Sequence, residues 1–167
     1  MKILVTGFMP FGGETVNPAY EAVRRLPAQI AGADIATVEI PVVYKKGPAA
    51  VEAAIDAEKP DMVLCVGQAG GRAEITPEFV GINYANFRIP DNEGFQPLST
   101  KLEEDGPDAY FATLPVQAMV DACKEKGVPA NVSYSAGTYC CNEVLYELLY
   151  ALDHRHPGVR GGFVHVP

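Results

Sequence analysis

The sequence predicts an α/β fold, a three-layer sandwich in which helices cover both faces of a largely parallel, twisted central sheet. Two observations lead to this prediction. Strand-like runs alternate with helix-like runs along most of the chain, which is typical of sheets with helical connections. The runs at 2–7 and 61–68 are also apolar at consecutive positions, as expected for strands that are covered on both faces.

The first half of the chain contains two strand–helix units. The first strand ends at a glycine, and Pro18 then suits the first turn of a helix at 17–26. A strand is expected at 33–44, where β-branched residues alternate with polar ones. An Ala-rich helix at 45–60 follows and leads into the apolar strand at 61–68.

The second half is less regular but continues the alternation. Residues 72–98 contain two segments in which apolar and polar residues alternate, followed by a cluster of turn-forming residues. A helix is expected at 106–127, kinked near its internal proline and closed by a glycine. A strand at 130–137, a helix at 141–155 with a continuous apolar face, and a final strand at 161–167 complete the prediction.

The length bounds the domain organisation. A chain of 167 residues is long enough for one domain with its own core and too short for two, so we expect a single domain over 1–167. No repeat, low-complexity stretch or linker-like segment interrupts it. A covering helix is expected after the last strand, so we expect the 167 residues to be a truncated chain.

Composition excludes several classes of function. A net charge of −8 opposes binding to nucleic acid or to an anionic membrane, because both need clustered Lys and Arg. The first apolar run is too short for a signal peptide or a membrane span, which predicts a cytoplasmic protein. No CxxC motif or paired-histidine spacing indicates a zinc site. We expect free thiols in a reducing compartment at the four cysteines, Cys65, Cys123, Cys140 and Cys141.

The adjacent cysteines, Cys140 and Cys141, are the strongest chemical signal. They fall at the predicted start of a helix, where unpaired N–H groups and the helix dipole lower the pKa of a thiol and can hold an oxyanion. A strand–turn–helix junction often presents a nucleophile in this way. Packing in the core is the competing interpretation, since cysteine often behaves as a small buried hydrophobe. Position alone neither decides between them nor identifies the reactive thiol.

A cysteine nucleophile needs a general base, and the sequence offers three histidines. His154 and His156 lie in a polar helix end, where a solvated role is expected. His165 lies among apolar residues at the end of a strand, so it needs a buried hydrogen-bond partner whether it is catalytic or structural. The carboxylates near strand ends that could orient it are Glu14, Glu74, Glu78, Asp91 and Glu93. Apolar residues flank Glu78 on both sides, which distinguishes it slightly from the others.

The Gly-rich segment after the first strand invites a phosphate-loop interpretation, but its details do not fit. It lacks both the G-x-G-x-x-G pattern and a Lys-Ser/Thr pair. Phe8 and Phe11 stand where a phosphate would need bare backbone. These two rings either wall a small apolar slot or pack into the core.

Several of these segments together resemble the pyroglutamyl peptidase I family (pyrrolidone-carboxylate peptidases). The resemblance covers nearly the whole chain, in the family's order. It is found in TGFMPFGGETVNP, GQAGGRAEITPEFVGIN, RIPDNEGFQP, SAGTYCCN and RGGFVHVP. Phe79 departs from the family pattern, where a basic residue is usual, as does Met9, where Asp is common. The C-terminal helix typical of the family has no counterpart in the sequence.

The resemblance implies a cysteine exopeptidase that removes N-terminal pyroglutamate from peptides through an acyl-enzyme, with no cofactor and no metal. Its Glu-Cys-His triad falls on Glu78, Cys141 and His165, and Cys140 occupies a neighbouring variable position. The family's pyroglutamate pocket falls on Phe8, Phe11 and Gln68. Arg88 matches a residue that lies beside the site in relatives and is a candidate for oxyanion support. The resemblance also implies a homo-oligomer, a tetramer in relatives.

Two other functions fit an α/β fold with these residues. The first is a non-catalytic small-molecule binding domain in which the cysteines are packed and His165 is structural. The second is a nucleoside phosphorylase-like enzyme, which would need a phosphate site that the sequence does not offer.

Overall fold

Alternating strands and helices give the protein a layered α/β arrangement, which the computed structural model describes for all 167 residues. The strands are β1 (Lys2–Phe8), β2 (Gln29–Ile30), β3 (Ala33–Ile40), β4 (Met62–Gln68), β5 (Thr76–Glu78), β6 (Val80–Ile82), β7 (Ala109–Phe111) and β8 (Arg160–Val166). The helices are α1 (Pro18–Val23), α2 (Lys46–Glu58), α3 (Val116–Glu125) and α4 (Cys140–His154). No helix combines the length and the apolar character needed to cross a bilayer.

The main sheet has six strands in the order β2-β3-β1-β4-β8-β5. The four central strands, β3, β1, β4 and β8, are parallel, and the edge strands β2 and β5 are antiparallel to their neighbours. A separate antiparallel pair is formed by β6 and β7. The predicted fold class, a largely parallel sheet with helices on both faces, is confirmed.

Side chains alternate between the two faces of the sheet and therefore build two apolar layers. On one face, Leu4, Val63 and Phe163 belong to a core cluster of 22 buried residues that is completed by α2 and α4. On the other face, Val5 and Val66 form a smaller cluster with the short helix α1. Helix α4 is covered along most of its length, which explains the continuous apolar face seen in the sequence.

The strands β1, β4 and β8 end at the same edge of the sheet. Phe8 and Gln68 are the last residues of β1 and β4, and His165 is the penultimate residue of β8. Helix α4 begins with Cys140 and Cys141 and packs against β4 and β8. Side chains from four distant parts of the sequence are therefore collected at the carboxyl edge, where ligands bind in open α/β sheets.

Three predicted elements differ in the structure. The strand expected at 33–44 is shorter, because β3 ends at Ile40, directly before Pro41. The helix expected at 106–127 is helical only in α3, because residues 109–111 pair with β6 as β7 and Pro115 precedes the first helical residue. The strand expected at 130–137 is wrong as a regular strand. Residues 129–133 exchange backbone hydrogen bonds with β5 but form only isolated bridges. The segment before α4 is therefore an irregular chain along the sheet edge.

Candidate active site

The centre of the site is a hydrogen bond between Glu78 and His165. Strands β5 and β8 are antiparallel, with Glu78 opposite Phe163, so His165 is its diagonal neighbour on the same face. Glu78 Oε1 accepts a hydrogen bond of 2.6 Å from His165 Nδ1, and both side chains are buried. A carboxylate bound to Nδ1 fixes the tautomer of a neutral imidazole and leaves Nε2 as its basic nitrogen.

Glu78 is held as an anion although it is completely buried. Burial by itself would raise the pKa of this carboxyl, but hydrogen bonds from His165 and Arg72 help to lower the pKa below its ordinary value. Arg72 Nη1 donates to Oε1, the same oxygen that His165 uses, over 2.8 Å. The charge that orients the imidazole is therefore compensated by a neighbouring cation.

Cys141 lies beside this pair, in the first turn of α4. The Phe163 ring and this thiol share the space that a side chain at Gly67 would take, since a Cβ atom there would stand 2.6 Å from the ring and 3.2 Å from Sγ. Gly67 is also the register partner of His165 in the parallel β4–β8 ladder. The absence of a side chain at Gly67 thus lets the thiol approach the strand end that bears His165.

Its surroundings favour the neutral form of the Cys141 thiol. Burial raises its pKa to about 12, the charge of Glu78 contributes in the same direction, and Arg72 opposes it. The prediction of a lowered thiol pKa from the helix start is therefore wrong, because desolvation outweighs the helix terminus. A neutral thiol needs a base that removes its proton during the reaction.

The two cysteines occupy different environments. Cys140 is 2% exposed and belongs to the main core cluster, and burial raises the pKa of its thiol strongly. Cys141 is only partly covered and lines a cleft. Both thiols are free in the structure.

A cleft of about 490 Å³ opens at Cys141. Gln68, Arg88, Phe11 and Cys141 are among its lining residues. A narrow, mostly apolar slot adjoins it and reaches down to Phe8; Phe11, Gln68 and Cys141 line both spaces. The structure thus brings together the residues that the sequence assigned to a pocket, while Glu78 and His165 lie outside both linings.

Comparison with known proteins identifies the family. A model of the pyroglutamyl peptidase family matches residues 1–167. The chain belongs to this family.

Individual relatives agree with this match. The chain is 54% identical over 167 residues to a pyrrolidone-carboxylate peptidase of Enterococcus faecalis and 56% identical to pyrrolidone-carboxylate peptidase 1 of Streptococcus pneumoniae, covering 100% of this chain and 78% of each relative. Pyroglutamyl peptidase I of Bacillus amyloliquefaciens has a solved structure with a TM-score of 0.97 and 49% identity, covering 99% of this chain and 81% of that one. For the pyrrolidone carboxyl peptidase of Thermococcus litoralis the TM-score is 0.95, with 40% identity and 99% and 76% coverage.

The family is one of cysteine peptidases, so this chain is a hydrolase of that type. Neither a non-catalytic binding domain nor a nucleoside phosphorylase-like enzyme is favoured by a whole-chain match to peptidases. The resemblance found in the sequence motifs is confirmed.

The remaining candidate groups lie away from this centre. Glu93 pairs with Lys46, Glu74 accepts a hydrogen bond from an asparagine side chain, and Glu14 is exposed. Asp91 is buried and accepts backbone hydrogen bonds from Tyr44, Glu93 and Phe95, so it shapes a loop. His154 is exposed in the last turn of α4, as expected. His156 follows the helix and its side chain is only 14% exposed, so the solvated role expected for it is wrong.

Sequence reasoning missed two residues that position the site. Arg72 binds Glu78. Its only signal in the sequence is its place in the same motif, six positions before Glu78. Asn142 follows Cys141 and bonds the backbone of Ile82 and Tyr84, which fastens the start of α4 to β6. An asparagine in the first turn of a helix gives no sequence signal for such a bridge.

Proposed function

We propose that Cys141, His165 and Glu78 form the catalytic triad with which this cysteine peptidase removes N-terminal pyroglutamate from peptides. The observation that supports the proposal most strongly is the buried hydrogen bond between Glu78 and His165. A carboxylate, an imidazole and a thiol in this order are the groups that acyl transfer to cysteine requires.

The reaction begins with the thiol as a neutral group. As Cys141 Sγ attacks the carbonyl carbon that joins pyroglutamate to the next residue, its proton passes to His165 Nε2. Glu78 stabilises the resulting imidazolium and keeps its ring in place. The imidazolium then gives the proton to the leaving amine, the C–N bond breaks, and a thioester remains. A water molecule, losing its proton to His165, hydrolyses the thioester and regenerates the thiol.

The tetrahedral intermediate carries a negative oxygen that needs hydrogen-bond donors. The backbone N–H groups at the start of α4 are unpaired within the helix and lie next to Cys141. Arg88 lines the same cleft and is proposed as further support. Removing one such donor typically costs about 10²–10³ in rate.

The residues that line the slot and the adjoining cleft are chemically suited to a cyclised, uncharged N-terminus. Pyroglutamate has no free α-amine, so its pocket needs apolar walls and a few polar groups for the lactam rather than an anion. Phe8 and Phe11 supply walls, and Gln68 supplies an amide that can both donate and accept. No Asp or Glu lines the slot, which supports a lactam over an ammonium group.

Variants of the two cysteines test the nucleophile. We expect Cys141→Ser to lower turnover of a pyroglutamyl anilide by at least about 10³-fold, because the triad acts as a unit. Cys140→Ala, the matched control, is expected to stay active. Activity retained by Cys141→Ser and lost in Cys140→Ala would assign the reaction to the other thiol.

The remaining triad members are tested against a histidine outside the site. His165→Gln and Glu78→Gln are expected to lose most of kcat, whereas His156→Gln keeps it.

Release of free pyroglutamate from a blocked dipeptide, abolished by a thiol reagent, checks the substrate itself. No release by the unmodified chain would refute the substrate proposal.

Assembly and location are part of the same proposal. We propose a single peptidase domain over 1–167, supported by β8, which inserts between β4 and β5 and so joins the C-terminal strand to the centre of the sheet. The family resemblance supports a homotetramer, which light scattering can measure. A reducing compartment, the cytoplasm, is proposed because Cys141 must stay reduced to act.

A further inference from the structure

Arg72 occupies a position that connects the parts of the active site. It lies between β4 and β5, and its guanidinium group has three partners. Nη1 donates to Glu78 Oε1 over 2.8 Å and to Thr76 Oγ1 over 2.5 Å, and Nη2 donates to the carbonyl oxygen of Ser135 over 3.2 Å. Ser135 belongs to the segment that leads into Cys141, so one side chain links the carboxylate to the chain that bears the thiol.

We propose that Arg72 is a positioning residue for the reaction: it holds Glu78 Oε1 on His165 Nδ1 and ties this carboxylate to the chain that leads to Cys141. The proposal rests on the triad proposed above. Arg72 acts through Glu78 and need not touch the substrate.

The first part of this role follows from how the carboxylate is satisfied. Arg72 and His165 converge on Oε1, and Oε2 has no hydrogen-bond partner although it is buried. A charge-assisted bond to a guanidinium is about twice as strong as a neutral one, so Arg72 keeps Oε1 in place whether or not His165 is protonated. Without it, this buried carboxylate would lose one of the hydrogen bonds that lower its pKa, and its protonated form would become more favoured.

The second part follows from the third partner of Arg72. Nη2 donates to the carbonyl oxygen of Ser135, in the segment that leads into Cys141. The charges act in a consistent way, because Glu78 raises the pKa of Cys141 and Arg72 lowers it.

The geometry requires arginine rather than any cation. A guanidinium is planar and presents several N–H donors in fixed directions, so it can reach acceptors on both sides at once. A lysine ammonium is a compact charge at the end of a flexible chain. It could compensate Glu78 but could not reproduce the link from Glu78 to Ser135.

Kinetics of Arg72→Ala and Arg72→Lys with a pyroglutamyl anilide test the role. We expect Arg72→Ala to lower kcat about a hundredfold, as misplacement of a catalytic group does, with little change in KM. The acid limb of its kcat/KM profile should move to higher pH, because Glu78 then takes up a proton more readily. Arg72→Lys should restore the acid limb more fully than it restores kcat. Added guanidinium ion should rescue Arg72→Ala in part.

Controls separate this role from a structural one. Arg24→Gln removes an exposed arginine that is also paired with a glutamate and should leave both the rate and the pH profile unchanged. If Arg72→Ala is too unstable to assay, Arg72→Lys alone decides. For Arg72→Ala, a wild-type kcat or an unshifted acid limb would overturn the proposal, even if the variant is less stable. For a folded Arg72→Lys, a wild-type kcat would overturn it.

A double-mutant cycle distinguishes failure of this inference from failure of the triad. In a Glu78→Gln background, Arg72→Gln should add almost no further loss, because its effect acts through the carboxylate. Fully additive losses would refute the positioning role and leave the triad intact. Full activity of Glu78→Gln itself would refute the triad, and with it the premise for Arg72.

Discussion

Glu78 illustrates how the surroundings of a residue decide its role. Five carboxylates near strand ends were candidates to orient His165, and local sequence could not choose among them. Family resemblance indicated Glu78, and the structure shows it 0% exposed with His165 and Arg72 on one oxygen. A buried carboxylate persists as an anion only where partners of this kind outweigh desolvation.

Glu143, two residues after Cys141, is buried without comparable compensation. It is 1% exposed, and one oxygen accepts from the backbone N–H of Lys45 while the other has no partner. Burial raises its pKa to about 8, and the charge of Glu147 contributes to the increase. The folded chain therefore retains a proton that the unfolded chain releases near its ordinary pKa of 4.5.

This difference predicts a pH-dependent stability. Between about pH 4.5 and pH 8 the folded state binds more protons at Glu143 than the unfolded state, so the free energy of unfolding falls as pH rises. Glu143→Gln keeps the acceptor for Lys45 but cannot ionise. We expect the variant to gain about 1–3 kcal/mol relative to the unmodified chain between pH 5 and pH 8 in urea unfolding.

The control for this measurement is Glu104→Gln, which changes an exposed glutamate by the same single charge. The difference in unfolding free energy between Glu104→Gln and the unmodified chain should stay nearly constant over the same pH range. A flat difference for Glu143→Gln as well would contradict the prediction.

At the scale of elements, the position of α4 decides where the thiol lies. Asn142 Oδ1 accepts from the N–H of Ile82 over 2.9 Å, and Nδ2 donates to the carbonyl oxygens of Ile82 and Tyr84. Gly81 lets β6 approach the helix closely, because a Cβ there would lie 3.0 Å from the backbone nitrogen of Tyr146. The first turn of α4 is thus held by the backbone of a neighbouring strand.

Removal of this bridge should affect both stability and rate. Asn142→Ala leaves partly buried backbone groups of Ile82 and Tyr84 without their partner, so we expect the free energy of unfolding to fall by about 1–3 kcal/mol. The kcat should fall as well, because the first turn of α4 is less well placed. Asn131→Ala removes an exposed amide that bonds Glu74 and should cost at most about 0.5 kcal/mol. Equal stability of the two variants would show that the bridge does not hold α4.

At the scale of the whole molecule, the two faces of the sheet are covered unequally. Helices α2 and α4 cover one face, whereas the other carries the six-residue helix α1. An open groove of about 320 Å³ on that second face is lined entirely by apolar side chains, among them Leu26, Leu64 and Val166. Apolar patches of this kind bind hydrophobic ligands or other protein surfaces.

An apolar dye should report this groove. We expect the folded chain to enhance the fluorescence of anilinonaphthalene sulfonate, since its rings can enter the groove. Leu64→Gln should reduce the enhancement, and Leu98→Gln, at a leucine that is 67% exposed elsewhere, should not. Equal dye binding by both variants would locate the dye at another surface.

Much of the fold was predictable because local pattern and tertiary environment agree. The apolar run of β4, the proline at the first turn of α1 and the apolar face of α4 each led to the correct element. The errors fell where pairing overrides local preference. Residues 109–111 are a strand because β6 offers them partners, and residues 129–133 follow β5 without regular strand geometry.

The α/β class, the order of most elements and the motifs that match the pyroglutamyl peptidase family could all be established from the sequence. It also supplied a thiol, an imidazole and a carboxylate as candidate groups. Local patterns suffice for these because hydrophobic period, turn residues and motif spacing are properties of short segments.

How those groups meet depends on the packing of remote segments. Glu78 and His165 are 87 positions apart, and the register of β5 against β8 brings them to 2.6 Å. The same packing buries the Cys141 thiol, reverses the expected direction of its pKa shift and brings Arg72 to Glu78. Desolvation and charge pairing depend on distances between remote segments, and the folded sheet alone sets those distances.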